Sequence, residues 1–182
     1  MRMARRALFA VGLVAMTGFG LLAPTACTPT CPTGWGSGAK TGPGPGTIKP
    51  VVATRVGQQT CYDRFVIELA GPLAGYDVRY VDNVVKDGSG EVVPLAGGAK
   101  LQVVVQAPAY NLSGTPTYQP ANDDQVHSVA GFRTFRQVAW LGSFEGYTSW
   151  GVGVRARLPM QVTVLPGPGT HARLVIDVAH SW

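Results

Sequence analysis

The chain has 182 residues, of which 46% are hydrophobic and only 14% charged, with 24 glycines and 14 prolines. That balance excludes a charged disordered chain and fits one turn-rich β domain with appendages. Subtracting Arg2, Arg5 and Arg6, which lie in a targeting-type segment, from the 15 basic residues leaves 12 against 10 acidic ones, an excess too small to argue for nucleic-acid binding.

Residues 1–26 read as a secretory signal. Arg2, Arg5 and Arg6 supply the positive start, residues 7–22 are apolar, and the small residues Ala23, Thr25 and Ala26 follow. At about 1.5 Å per residue the apolar run falls short of a bilayer core of about 30 Å; the alternative is a retained N-terminal anchor. The Ala26-Cys27 junction admits cleavage before Cys27 and lipidation of its thiol, although Pro24 stands where such signals usually carry Leu. An exported chain meets a compartment where disulfides persist. If Cys27 carries lipid, Cys31 and Cys61 remain as a pair; Cys27–Cys61 and Cys27–Cys31 are the competing pairings.

Residues 27–46 read as a Gly/Pro-rich linker. GWGSG at 34–38 and GPGPG at 42–46 lack the apolar surface to order themselves. Neither has the Lys-Ser/Thr ending or the strand–helix setting of a phosphate loop. Trp35 is the exception in this tract, and a disulfide at Cys31 would dock it on the domain.

Residues 47–182 form the domain. A first strand covers 51–56. A second covers 64–69, with Phe65, Ile67 and Leu69 on one face. Tyr76, Val78 and Tyr80 alternate with Asp77, Arg79 and Val81. Asp87-Gly88-Ser89-Gly90 turns a hairpin between 81–86 and 91–95. Leu101, Val103 and Val105 alternate with polar or neutral neighbours. Residues 108–124 are polar and turn-rich, long enough to mark a functional loop. Four strand-like runs fill 131–182: Met160, Val162 and Val164 share one face of one run, and Leu174, Ile176 and Val178 one face of another. Pro159 belongs at a strand start or an edge, and Pro166-Gly167-Pro168-Gly169 is a turn. Eight to ten short strands at this spacing predict an all-β fold, an antiparallel β-sandwich.

The chemistry-bearing residues are sparse. His127, His171 and His180 fall in no metal-ligand spacing and read as surface residues; no metal or cofactor is expected. No serine sits in Gly-x-Ser-x-Gly, and Ser143 reads as a turn serine. Asp63 and Glu145 could serve as the paired carboxylates of a hydrolase if they converge to roughly 5–9.5 Å; the competing reading is a structural ion pair with Arg64 or Arg136. Phe144, Tyr147 and Trp150 surround Glu145 in SFEGYTSWG. Aromatic rings on a turn offer flat apolar faces to a sugar or peptide, so Arg136, Phe144, Glu145, Tyr147 and Trp150 form the candidate ligand-binding set. Arg155 and Arg157 alternate with apolar neighbours and point outward, toward an anionic polymer or simply toward water.

CYDRFVIELAG (61–71), GYDVRYVD (75–82), FRQVAWLGSFEGYTSWGVGV (135–154) and RLVIDVA (173–179) together resemble the AMIN-like domain family, over about residues 47–180. The family comprises small secreted or lipid-anchored bacterial proteins. It is similar to AMIN domains, the β-sandwiches attached to cell-wall amidases and secretin components. The resemblance implies a sandwich, an envelope location and a wall-related ligand, and it supplies no catalytic residues. The expected function is therefore an exported, non-catalytic binding module for peptidoglycan or an envelope protein, touching membrane only through a lipid at Cys27. A small hydrolase using Asp63 and Glu145, and a structural partner that pairs strand edges, are the alternatives.

Overall fold

The computed structural model describes residues 30–44 and 46–182; the signal segment and Cys27 lie outside them. Eleven strands follow in chain order: β1 (Lys40–Pro43), β2 (Val51–Gln58), β3 (Tyr62–Leu69), β4 (Gly75–Val81), β5 (Val84–Val85), β6 (Val92–Val93), β7 (Ala99–Val105), β8 (Phe135–Phe144), β9 (Tyr147–Val154), β10 (Met160–Pro166) and β11 (Ala172–Ala179). All pairings are antiparallel. A five-stranded sheet, order β1-β4-β7-β9-β8, packs on a four-stranded sheet, order β10-β11-β3-β2, and β5-β6 form a small separate hairpin. This is the predicted all-β antiparallel sandwich.

The alternating positions fill the space between the sheets. Phe65, Ile67 and Leu69 of β3 and Leu174, Ile176 and Val178 of β11 meet Leu101, Val103 and Val105 of β7 and Trp150, Val152 and Val154 of β9, all in one buried cluster. Val164 departs from its expected face: Met160 and Val162 are buried, whereas Val164 is exposed. β10 is an edge strand, and its last residues run past the core. Pro159 immediately precedes it, where no ladder donor is required.

The outer face of β9 carries glycine. A Cβ on Gly151 would stand 2.8 Å from Leu95 Cδ1, and one on Gly153 would collide with the Ala96 carbonyl. These two positions let the β5–β6 hairpin lie flat on the sheet, where Val84 and Val93 join Ala139 and Leu141 of β8 in a second small core.

The Gly/Pro tract does not remain outside the fold as its composition predicts. β1 lengthens the five-stranded sheet, running from Lys40 opposite Val78 to Pro43 opposite Gly75. Gly36 O accepts from Met160 N at 2.8 Å, and Gly44 N donates to Ala74 O at 2.8 Å. Gly44 sits so close to the Leu73 carbonyl that no side chain fits there. The arm has no core of its own. It orders by hydrogen-bonding to an existing sheet edge, and its glycines permit that approach.

Residues 106–134 between β7 and β8 hold one isolated bridge, Tyr110 to Pro116. They close the side of the sandwich between β8 and β2. Val126 N donates to Val138 O and Trp140 N to Asp123 O, covering the free edge of β8, while Thr117 Oγ1 donates to Val51 O at 2.7 Å. Tyr118 packs its ring 6.2 Å from Trp140 and 5.9 Å from Trp150. Among the described residues no helix is long and apolar enough to cross a membrane.

Candidate functional site

β8 and β9 are joined by Glu145 and Gly146, with φ of 48° and 85°. Two successive positive φ values make the tight turn whose twist matches paired strands. Glycine takes that conformation freely, whereas Glu145 is the one non-glycine residue at positive φ among the described residues. The turn presents Phe144 and Tyr147, opposite each other in register, at 48% and 44% exposure. The Phe144 ring rests beside Gly88 of the β5–β6 hairpin.

The tip stands on a fixed base. Ser143 Oγ accepts from Ala109 N at 2.9 Å and donates to Tyr147 O at 3.0 Å. Thr148 Oγ1 donates to Ala107 O at 2.6 Å, and Gly146 N donates to the Tyr110 hydroxyl at 3.3 Å. Tyr110 also lines a shallow groove of about 660 Å³ with Ile48, Pro50, Pro108 and Leu112. Ile48 and Leu112 are exposed like Phe144 and Tyr147. Four large apolar side chains thus collect at one end of the sandwich, more than scattered surface hydrophobes require.

The other candidate residues go elsewhere. Trp150 is fully buried, 6.1 Å from Phe65 and 5.9 Å from Tyr118. It shares β9 with Tyr147 but has the opposite parity, so its ring points into the core and is not open to a ligand. Arg136 lies at the far end of β8, donating to the carbonyls of Phe132, Phe135 and Arg133. Nine residues of strand at about 3.3 Å each put it about 30 Å from Glu145.

The carboxylate pair does not assemble. Asp63 Oδ2 accepts from Thr134 N at 2.6 Å and Phe135 N at 2.9 Å, at the opposite end of β8 from Glu145. The same strand length separates the two by about 30 Å, far beyond the roughly 9.5 Å that glycosidase chemistry tolerates. Asp63 is buried because it caps those two amides and receives His180 Nε2, 2.9 Å from Oδ1. The reading of a hydrolase built on Asp63 and Glu145 is thereby corrected.

The reading of all three histidines as surface residues needs correction, since His180 is buried and His127 and His171 are only partly exposed. His180 is buried against Asp63. His127 Nε2 lies 2.8 Å from Thr54 Oγ1, which also meets the Tyr118 hydroxyl at 2.9 Å, and burial pushes its pKa below 6.5. His171 Nδ1 sits 2.8 Å from Glu68, whose other oxygen meets Arg55 at 2.9 Å. The His171 bond, then Arg55, hold the Glu68 pKa below its ordinary 4.5. Among the described residues no cluster of His, Cys, Asp or Glu could hold a metal ion. Sequence reasoning missed Tyr110, Ile48 and Leu112, because they sit in irregular segments where periodicity says nothing about exposure.

The described residues thus form an antiparallel sandwich with an aromatic turn raised on one end, and the most deeply buried carboxylate, Asp63, is engaged by two backbone amides and His180. Residues 49–180 match the AMIN-like domain, and the chain belongs to that family. A search of curated proteins finds no match. Domains of this family are binding modules in general and relate to cell-wall binding. The Cys31–Cys61 disulfide, closed in the structure, agrees with an extracytoplasmic setting.

Proposed function

We propose that the protein is an exported, non-catalytic module that docks on peptidoglycan through the β8–β9 end of the sandwich. The observation that carries this reading is the pair of exposed rings, Phe144 and Tyr147, flanking the carboxylate of Glu145 on a turn fixed from beneath. Pyranose rings present apolar C–H faces that stack on aromatic rings, while their hydroxyls and amides donate to a carboxylate. Glu145 holds a backbone conformation that favours glycine, which fits a side chain placed for contact and not for turn stability. Export rests on residues 1–26; mass spectrometry of the mature N-terminus separates cleavage near Ala26 from lipidation at Cys27.

Strand-edge pairing with a protein partner finds less support. β8 is covered by residues 123–126, β10 is bracketed by Pro159 and Pro166, and β1 is four residues long and ends at Pro43. The short, proline-bounded edges of β1 and β10 oppose pairing, which leaves β2, eight residues long, as the edge where pairing is best accommodated. The test is co-sedimentation of the full chain with purified sacculi. Phe144→Ala/Tyr147→Ala is expected to stay in the supernatant while retaining its thermal midpoint. Sedimentation equal to wild type removes the hairpin from the site, and no sedimentation of the wild type removes the reading.

A further inference from the structure

The opposite end of the sandwich carries a second surface with its own chemistry. The disulfide brings Trp35 onto the domain, with its ring 5.4 Å from that of Tyr62. Trp182 lies nearby at 77% exposure, and its indole Nε1 donates to Arg157 O at 3.2 Å. Between them runs a mostly apolar groove of about 430 Å³, walled by Trp35, Trp182, Pro159 and the Cys31–Cys61 bridge. An exposed tryptophan held by its own N–H, facing a second tryptophan across a groove, is a costly arrangement for a surface that meets only water.

No arginine lines this groove, but two are bonded to residues beside it: Arg155 to His180 and Arg157 to Ser37. Arg157, whose carbonyl holds the Trp182 indole, lines a separate polar hollow of about 480 Å³ with Tyr80, Asp82, Gly98 and Lys100, and its guanidinium lies 5.1 Å from the Tyr80 ring centre. Arg155 donates to His180 O, two residues before Trp182. Arg133 and Arg136 stand at the start of β8 on the same end. Arg55, Arg64, Arg79 and Lys86 each meet a carboxylate. Arg133, Arg136, Arg155 and Arg157 form no ion pair among the described residues, and three of them donate to backbone carbonyls or to Ser37. Asp82 is the one acidic side chain in the hollow, and Asp63 is consumed within the fold.

We propose that this end is a second ligand site, taking an acidic polysaccharide whose pyranose rings lie on Trp182 and Trp35 and whose carboxylates meet Arg155 and Arg157. Flat rings on either side of a shallow groove suit the apolar faces of sugars. Guanidinium groups unpaired to protein carboxylates complement charge carried by the polymer, with fork geometry matched to a carboxylate. A polyanionic peptide is disfavoured here. Its carboxylates could meet the arginines, but it has no flat apolar faces to lie on Trp35 and Trp182, and strand addition is blocked where the start of β10 is bonded to Gly36.

The test is titration of the full chain with an oligogalacturonate, followed by tryptophan fluorescence, in parallel with neutral chitotetraose and oligoglutamate. Saturable quenching by oligogalacturonate is expected, with affinity falling as salt rises. Trp182→Ala, at an exposed position, should weaken binding about tenfold. Arg155→Gln/Arg157→Gln should weaken it and flatten the salt dependence. Phe144→Ala/Tyr147→Ala should leave it unchanged, which separates this site from the hairpin. Absence of saturable binding overturns the proposal. Equal affinity for chitotetraose or oligoglutamate, or wild-type affinity in Trp182→Ala, overturns it equally.

Discussion

Replacement of Asp63 by alanine should destabilise the fold more than any surface change. Its carboxylate joins three parts of the chain: β3, which carries it, the start of β8 through Thr134 N and Phe135 N, and the end of β11 through His180. Thr134 reinforces the same junction by donating from Oγ1 to Ala179 O at 3.0 Å. Alanine removes the acceptor for two backbone amides that no water reaches, since Asp63 and Thr134 are both fully buried. Each stranded donor costs about 1–3 kcal/mol, and His180 loses its partner as well. The expected loss is about 3–6 kcal/mol, a large share of the about 5–15 kcal/mol that holds an ordinary domain together.

Asparagine separates the hydrogen-bonding account from simple loss of bulk. It keeps the shape and one carbonyl oxygen for the amides, so Asp63→Asn should cost about 1–2 kcal/mol. Urea unfolding of the oxidised full chain, read through tryptophan emission, measures both. A loss below about 0.5 kcal/mol for Asp63→Ala, within the range of ordinary surface substitutions, would refute the reasoning. So would an asparagine variant as damaged as the alanine one.

Cys31→Ser/Cys61→Ser opens a bridge that spans 30 residues of sequence, worth about 3–4 kcal/mol by loop-closure entropy; the urea midpoint should fall accordingly, and wild type in reductant should match the variant. Stability should also decline in two acid steps. His127, whose pKa is lowered chiefly by burial, contributes fully above its unfolded value of about 6.5, and that contribution is lost as pH falls through its lower folded value. Glu68, lowered chiefly by its bond to His171, contributes above about 4.5 and is lost as pH falls through its own lower folded value. His127→Gln should flatten the first step alone in a series of urea midpoints against pH; an unchanged first step would count against this assignment.

The sandwich was legible because burial on one face imposes a period of two. Phe65, Ile67 and Leu69, or Leu174, Ile176 and Val178, could belong to little else. The same rule, carried one step further, already separates Tyr147 from Trp150: three residues apart on one strand, they face opposite ways. Grouping them by proximity in SFEGYTSWG ignored that parity. Asp63 and Glu145 failed for a different reason. Which end of which strand a residue meets depends on how the two sheets pack, and only the bonds from Thr134 and Phe135 to Asp63 show that it meets the start of β8 instead of its end. The arm was misjudged because composition reports whether a segment can build a core, not whether it can borrow an edge.

Packing also limits where ligands can be met at all. The facing sides of both sheets are consumed by the core, and part of the outer face of β8 and β9 lies under the β5–β6 hairpin. What stays exposed, aromatic and fixed in position is at the two ends: the β8–β9 turn and the groove beside the disulfide. β8 runs from one to the other, and its ten residues set the two surfaces about 30 Å apart. The two proposed contacts need no tight site at either end if one polymer reaches both, because attachment at one raises the local concentration of polymer at the other. Weak, separated contacts also fit a domain whose cationic and aromatic groups are spread along its length and not drawn into one deep pocket.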